Sequence, residues 1–241
     1  MLATNEKTLK ELALESPAAT RVFENLGLDY CCGGNQSLDT ACVKANLSIH
    51  QVLELIEAAE QSAQDRRSDR NWQNEPLTDL INHIVGTHHQ YVRSEIARLE
   101  PLFEKVCRVH GKNHPELLEI RATFEALADE LTLHLMKEEN VLFPYVRRTE
   151  ESIMEHEPAL PAPFGSVKNP VAMMEHEHES AGEALRSMRA ASNGYTAPPE
   201  ACTSYRALYT ALAGFEADLH QHIHLENNLL FPRAIALEQA R

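Results

Sequence analysis

The chain has 241 residues, a formal net charge of −14 and 43% hydrophobic residues, enough for one large domain with a small appendage. The acidic balance argues against nucleic acid and anionic membrane as partners, since both recruit cationic surface. No apolar stretch approaches the length of a bilayer span, and the first residues lack a basic region followed by an apolar run. The five cysteines (31, 32, 42, 107 and 202) form no even framework, so reduced thiols in a cytoplasmic protein are expected.

In chain order, residues 1–60 predict several short helices forming a small helical domain. Ser16-Pro17 offers an N-cap with Pro at the first helical position, Ser48 caps a further helix, and Asp29–Gln36 is a Gly-containing loop that carries Cys31 and Cys32. Residues 61–75 are polar and charge-dense and predict a linker. Four long helices then follow within residues 76–241, at about 77–107, 115–148, 170–192 and 199–236. Breaks fall at Gly111–Pro115, at Pro158–Pro170 and at Ser192–Pro199. No segment alternates at period two, so the fold is all-α. Two short breaks flank a longer one, which predicts two helical hairpins joined by a crossover into a four-helix bundle.

One pattern, His-x-x-x-Glu-x-x-x-Leu-Phe-Pro, occurs twice, 88 positions apart. It runs from His134 through Glu138 to Leu142-Phe143-Pro144, and from His222 through Glu226 to Leu230-Phe231-Pro232. Residues four apart share a helix face, so each His and its Glu can grip the same ion or ion pair. With 13 His and 29 Glu, chance supplies about 1.6 His-x-x-x-Glu pairs, and three occur. The third, His50 with Glu54, lacks the Leu-Phe-Pro sequel, so the duplication is the signal. It extends beyond the motif: His89 precedes His134 by 45 residues, and His178 precedes His222 by 44.

Periodicity selects among the crowded histidines. Ile81, Val85, His89, Val92, Ile96, Leu99 and Phe103 form one apolar stripe, and Phe124, Leu127, Leu131, His134, Glu138 and Val141 form the next. The third helix reads Val171, Met174, His178, Ala181, Leu185 and Met188, and the fourth Phe215, Leu219, His222, Glu226 and Leu229. His83 and His176 fall on polar faces, His88 is ambiguous, and His220 and His224, each two residues from His222, are expected to point outward.

A lone His in an apolar stripe is commonly a hydrogen-bonded core residue. Two carboxylates in such stripes are different, because a buried ionised carboxylate is costly unless paired or coordinated, and no Lys or Arg occupies these stripes. Four imidazoles and two carboxylates exceed a four-coordinate zinc site and are too rich in nitrogen for calcium or magnesium. In a four-helix core this donor set suits two Fe ions. The expected cofactor is an oxo-bridged di-iron pair bridged by Glu138 and Glu226, with His89, His134, His178 and His222 as terminal ligands and open positions for an exogenous ligand.

These residues resemble the hemerythrin-like bundle, and more closely the repair-of-iron-centres family of ScdA/YtfE-like proteins. The two motifs and the Met174-Glu175-His176-Glu177-His178 run carry the resemblance over residues 77–237, and the Asp29-Tyr30-Cys31-Cys32-Gly33-Gly34 loop resembles the small domain that precedes the bundle there. Oxygen-carrying hemerythrins have a second His four residues from the first on the third helix, where this chain has Met174 and Gly182. They also have Asp five residues after the last His, where this chain has Glu226 at four. Both departures favour the repair branch. The resemblance implies a cytoplasmic homodimer that restores iron–sulfur clusters damaged by oxidative or nitrosative stress, by supplying iron, and that binds or reduces nitric oxide. The damaged iron–sulfur proteins are then its partners, and NO or O2 its small ligands. It implies the same six metal ligands, and acidic positions at Glu130 and Glu177 lining an ion or solvent route. The alternative reading is a hemerythrin-like oxygen or NO sensor or carrier.

The vicinal cysteines form their own candidate site. An adjacent pair closes an eight-membered ring that generally distorts the intervening peptide, so an unstrained structural disulfide is not expected. Redox switching, or holding and passing iron, are the chemical roles open to Cys31 and Cys32; a plain turn is the other reading.

Overall fold

The computed structural model describes residues 7–63, 72–157 and 161–240. Regular structure among the described residues is helical, as the missing period-two alternation predicts, with one isolated bridge between Thr8 and Ser37. No helix among them is long and apolar enough to cross a membrane.

One compact unit comprises the described part of Met1–Pro76 together with Ile223–Pro232. Its helices are α1 (Leu9–Glu15), α2 (Pro17–Leu26), α3 (Leu38–Ala45) and α4 (Ile49–Ala63). A capping box starts α1: Glu11 N–H donates to Thr8 Oγ1 at 3.1 Å, and Thr8 N–H donates to Glu11 Oε2 at 2.8 Å. Pro17 occupies the first turn of α2 as expected, but Ser16 supplies no side-chain cap bond. Ser37 Oγ accepts from Thr40 N–H to open α3. Leu9, Phe23, Tyr30, Leu38 and Val52 are buried together as this unit's core. α4 continues to Ala63, into the stretch predicted as a linker, and residues 64–71 of that stretch lie outside the described residues.

The other unit comprises Leu77–His222 and the described part of Arg233–Arg241. Its first helical run is α5 (Leu77–His83), a π-helical turn Ile84–His89 and α6 (Gln90–His110). The second is α7 (Glu116–Lys137), a π-turn Glu138–Leu142 and α8 (Phe143–Met154). The third, α9 (Lys168–Ala191), is uninterrupted. The fourth is α10 (Thr203–Leu225), a π-turn Glu226–Leu230 and α11 (Phe231–Gln239), and the unit boundary falls inside this continuous run. α7 packs against α9 and α6, and α5 packs against α8. Phe103, Phe124 and Phe215 pack through the core in tilted and edge-to-face contacts, with ring centroids 5.2 and 5.6 Å apart. Each such buried side chain contributes about 1.5–3 kcal/mol of burial free energy.

The Leu-Phe-Pro sequel explains two of the π-turns. Pro144 and Pro232 have no N–H to return to the carbonyls of Asn140 and Asn228, and their rings crowd those carbonyls. The chain relieves this by widening: Phe143 N–H reaches back five residues to Glu138 O, and Phe231 N–H to Glu226 O. The extra residue per turn shifts the inward register. Val141, expected on the core stripe, is 46% exposed, and Leu142 takes the inward place. The π-turn in the first run likewise buries Ile84 and both His88 and His89, leaving Val85 only half-buried.

Candidate metal centre

The three π-turns carry three of the six acidic and imidazole side chains that converge in the core. His89 is the last residue of the first turn, and Glu138 and Glu226 are the first residues of the second and third. His134 and His222 lie one turn earlier on α7 and α10, and His178 sits mid-way along α9. All six are at most 2% exposed. Their donor atoms form two groups, His89–Glu138–His222–Glu226 and His134–Glu138–His178–Glu226, each with all atoms within 4.8 Å of one another. Both groups therefore share both carboxylates, and each takes one imidazole from each hairpin.

Four distances decide what this arrangement can hold. The Nε2 atoms of His89 and His222 are 3.1 Å apart, as are those of His178 and His134. Glu138 Oε2 lies 3.4 Å from Nε2 of both His89 and His134. Two nitrogens bonded at about 2.1 Å to one ion, side by side, stand about 3 Å apart. Two fully buried carboxylates would otherwise carry a desolvation cost of several kcal/mol each. The mixed nitrogen and oxygen donor set fits transition-metal cations.

The far side of two of the imidazoles, His89 and His134, is also fixed. Glu139 Oε1 lies 2.7 Å from His89 Nδ1, and Glu177 Oε2 lies 2.9 Å from His134 Nδ1. Arg93 donates to Glu139 at 2.9 Å, and Lys137 pairs with Glu177. Burial alone would raise both carboxyls. Hydrogen bonds from His89 and Arg93 outweigh it at Glu139, as those from Lys137 and His134 do at Glu177, so both lie below the usual carboxylate range. An imidazole that donates its Nδ1 proton to a carboxylate presents a bare Nε2 lone pair to a cation. Glu177 thus stands beside the cluster, while Glu130, also singled out from the sequence, is exposed on α7. Glu139 was not anticipated; it follows Glu138 directly, and the π-turn brings both neighbours to the same imidazole.

Of two further buried histidines, His88 was ambiguous in the sequence and His224 departs from the sequence reading. His88 is buried with Nδ1 2.9 Å from Asp218 Oδ1, and its ring lies parallel to that of His222, with centroids 5.8 Å apart. His224, expected to point outward, is 5% exposed. It packs against Tyr30 at 5.4 Å, its Nδ1 lies 2.9 Å from Asn228 Nδ2, and burial lowers its pKa to about 4. Within their compact unit, residues 224–228 are covered by the loop that carries the vicinal cysteines. Asn228 Nδ2 donates to Tyr30 O at 3.2 Å, and Asn227 Nδ2 to Cys31 O at 3.3 Å, so this loop is bonded to the π-turn that begins at Glu226.

Cys31 and Cys32 are thiols not joined in a disulfide, with Sγ atoms 3.8 Å apart. The hydrogen bond with Cys32, followed by burial and the nearby Asp29, pushes the Cys31 thiol well up. Gly34 is required in this loop, since a Cβ there would stand 2.5 Å from Tyr30 O.

Comparison with known proteins agrees with this architecture. Residues 80–234 match the hemerythrin HHE cation binding domain, and residues 5–60 match ScdA_N, a domain of unknown function. The bundle and its donor set define a hemerythrin-like protein with an N-terminal ScdA_N domain, a class that implies iron binding. Iron-sulfur cluster repair protein YtfE of Yersinia pseudotuberculosis serotype IB (strain PB1/+) is 39% identical over 229 residues, covering 95% of this chain and 96% of that protein. Iron-sulfur cluster repair protein YtfE of Musicola paradisiaca (strain Ech703) is 39% identical over 231 residues, with the same coverage. The chain belongs to the YtfE family of hemerythrin-domain proteins.

Proposed function

We propose that this protein is a di-iron protein that repairs iron–sulfur clusters damaged by oxidative or nitrosative stress, and that it does so by supplying iron. The observation that carries the reading is the pair of donor groups sharing Glu138 and Glu226. Six donors divided this way give each ion two imidazoles and two shared carboxylates, a set short of saturation, so each ion keeps room for an outside ligand such as NO or O2. In this reading His89, His134, His178 and His222 would be terminal ligands, and Glu138 and Glu226 would be shared by both ions. Bound iron supplies redox chemistry and a releasable metal. The chain's own part is to hold the His89 and His134 imidazoles by their Nδ1 atoms through Glu139 and Glu177, and to keep the donors dry. The names of the similar proteins support repair as the role. The reading takes the protein to act as a cytoplasmic homodimer on damaged iron–sulfur proteins.

Metal analysis of protein purified without oxygen, with Mössbauer spectroscopy, is expected to give about two iron atoms per chain. A damaged cluster enzyme should regain activity on incubation with the loaded protein. Rescue no greater than that from free ferrous iron rejects repair, and less than half an iron per chain after anaerobic reconstitution rejects the di-iron site.

The bonds from Asn227 and Asn228 to the cysteine loop favour a second reading, an oxygen or NO sensor whose N-terminal domain relays the ligand state. Reversible oxygen uptake by the diferrous protein would support sensing. Rapid oxidation or iron loss would support repair.

A further inference from the structure

We propose that Asp29, Cys31 and Cys32 form a separate, labile binding site for a thiophilic divalent cation of the Fe2+ or Zn2+ class. The three donors lie within 4.8 Å of one another. Their spacing fits one small tetrahedral ion. Two thiolates bonded at about 2.3 Å to such an ion stand about 3.8 Å apart, and a thiolate and a carboxylate oxygen stand about 3.6 Å apart. The observed separations are 3.8 Å between the two Sγ atoms and 3.5 Å between Cys31 Sγ and Asp29 Oδ1.

The loop is built around this carboxylate. Asp29 Oδ1 accepts from the N–H groups of Cys32 and Gly33, each at 2.9 Å, which fixes its direction. A Cβ at Gly33 would stand 3.2 Å from the Asp29 carboxyl group, so the glycine keeps the approach open. On binding, each thiol releases its proton to water and the dication faces a dithiolate and a carboxylate. Three protein donors leave the fourth tetrahedral position to solvent or to an incoming ligand, which makes the site suited to exchange rather than to permanent storage. Soft sulfur donors set it apart from the imidazole and carboxylate set of the bundle, so the two sites differ in metal preference. The bonds from Asn227 and Asn228 to the Cys31 and Tyr30 carbonyls hold this loop against the turn that begins at Glu226.

Co2+, titrated anaerobically into the full chain with iron already in the bundle, tests the proposal independently of the bundle reading, because imidazole and carboxylate give no thiolate-to-cobalt charge transfer. A charge-transfer band in the near ultraviolet is expected to saturate at about one cobalt per chain, to be displaced by Zn2+, and to resist Mg2+. Cys31→Ser and Cys32→Ser should each remove it, and Asp29→Asn, which keeps an oxygen to accept the loop N–H groups, should weaken cobalt binding at least about tenfold. Circular dichroism and bundle iron content report whether each variant is folded, and Cys32→Ser, at the less buried position, keeps the test decisive should Cys31→Ser disturb the core. No band at one equivalent, a band surviving both cysteine substitutions, or unchanged affinity in Asp29→Asn would overturn the site.

Discussion

Glu139 holds His89 from behind: its Oε1 lies 2.7 Å from the ring Nδ1, while the preceding residue, Glu138, faces Nε2 of the same imidazole at 3.4 Å. Two consecutive carboxylates thus address opposite edges of one ring, one on the cation side and one as an outer support. The second hairpin supplies the matching support for His134 through Glu177.

Glu139→Ala and Glu177→Ala should each lower metal affinity by about 10–100-fold, because the imidazole loses the acceptor that fixes its tautomer and direction. Chelator competition measures this. The two changes act on different histidines that both face Glu138 Oε2, so the double variant is expected to depart from additivity. Affinity unchanged in both variants would show that the outer carboxylates play no part in holding metal.

Glu138→Gln should act in opposite directions on the two forms of the protein. Without metal it replaces a buried carboxylate with a neutral amide that is cheaper to desolvate, and should raise stability. With metal present it removes a shared donor, and bound iron falls. Thermal unfolding of the metal-free and reconstituted proteins separates the two effects, and a metal-free variant less stable than the parent refutes the argument.

Pro144→Ala restores an N–H donor for the Asn140 carbonyl and removes the ring that crowds it, so the π-turn Glu138–Leu142 should close toward an α-turn. Helix content would be maintained, but Glu138 would rotate relative to His134 and metal binding would weaken. A crystal structure should show Val141 moving inward and Leu142 outward. Retention of the π-turn in this variant would mean that packing, not proline, sets it.

Thiol labelling at pH 7.5 should order the cysteines by accessibility and acidity. Cys202 is exposed, whereas burial raises the thiol pKa of Cys42 and Cys107, and the contact with Cys32 together with burial raises that of Cys31. Raised values leave these three protonated and slow at neutral pH, with reactivity appearing only as the pH climbs past the ordinary thiol range or the chain unfolds. Iodoacetamide followed by peptide mass spectrometry is expected to find Cys202 alkylated well before Cys31, Cys42 and Cys107.

Much of the bundle was legible because its signals are local and repeated. The spacing of His134, Glu138 and Pro144 recurs at His222, Glu226 and Pro232, and apolar stripes around His89 and His178 phase them inward at an ordinary helical period. What that period misses is the widened turn. A constant 3.6-residue step carries Val141 to the core face and leaves His88 undecided, while the actual chain gains a residue at each π-turn and buries Leu142 and both His88 and His89. Leu-Phe-Pro held the cue, since proline within a helix must disturb the carbonyl four residues back. His224 was misjudged for a different reason. Its outward direction from the bundle is correct by helix geometry, but the surface it reaches is covered by Tyr30, a contact between residues 194 positions apart that no local pattern encodes.

Because His89 and His222 come from different hairpins, as do His134 and His178, a cation in either group is a rivet between the two halves of the duplicated chain. Neither half owns an ion. Losing a bound metal would therefore unfasten one hairpin from the other before it unravelled any single helix, and amide exchange along the seams between α6 and α10 and between α7 and α9 is where that loosening would first be felt.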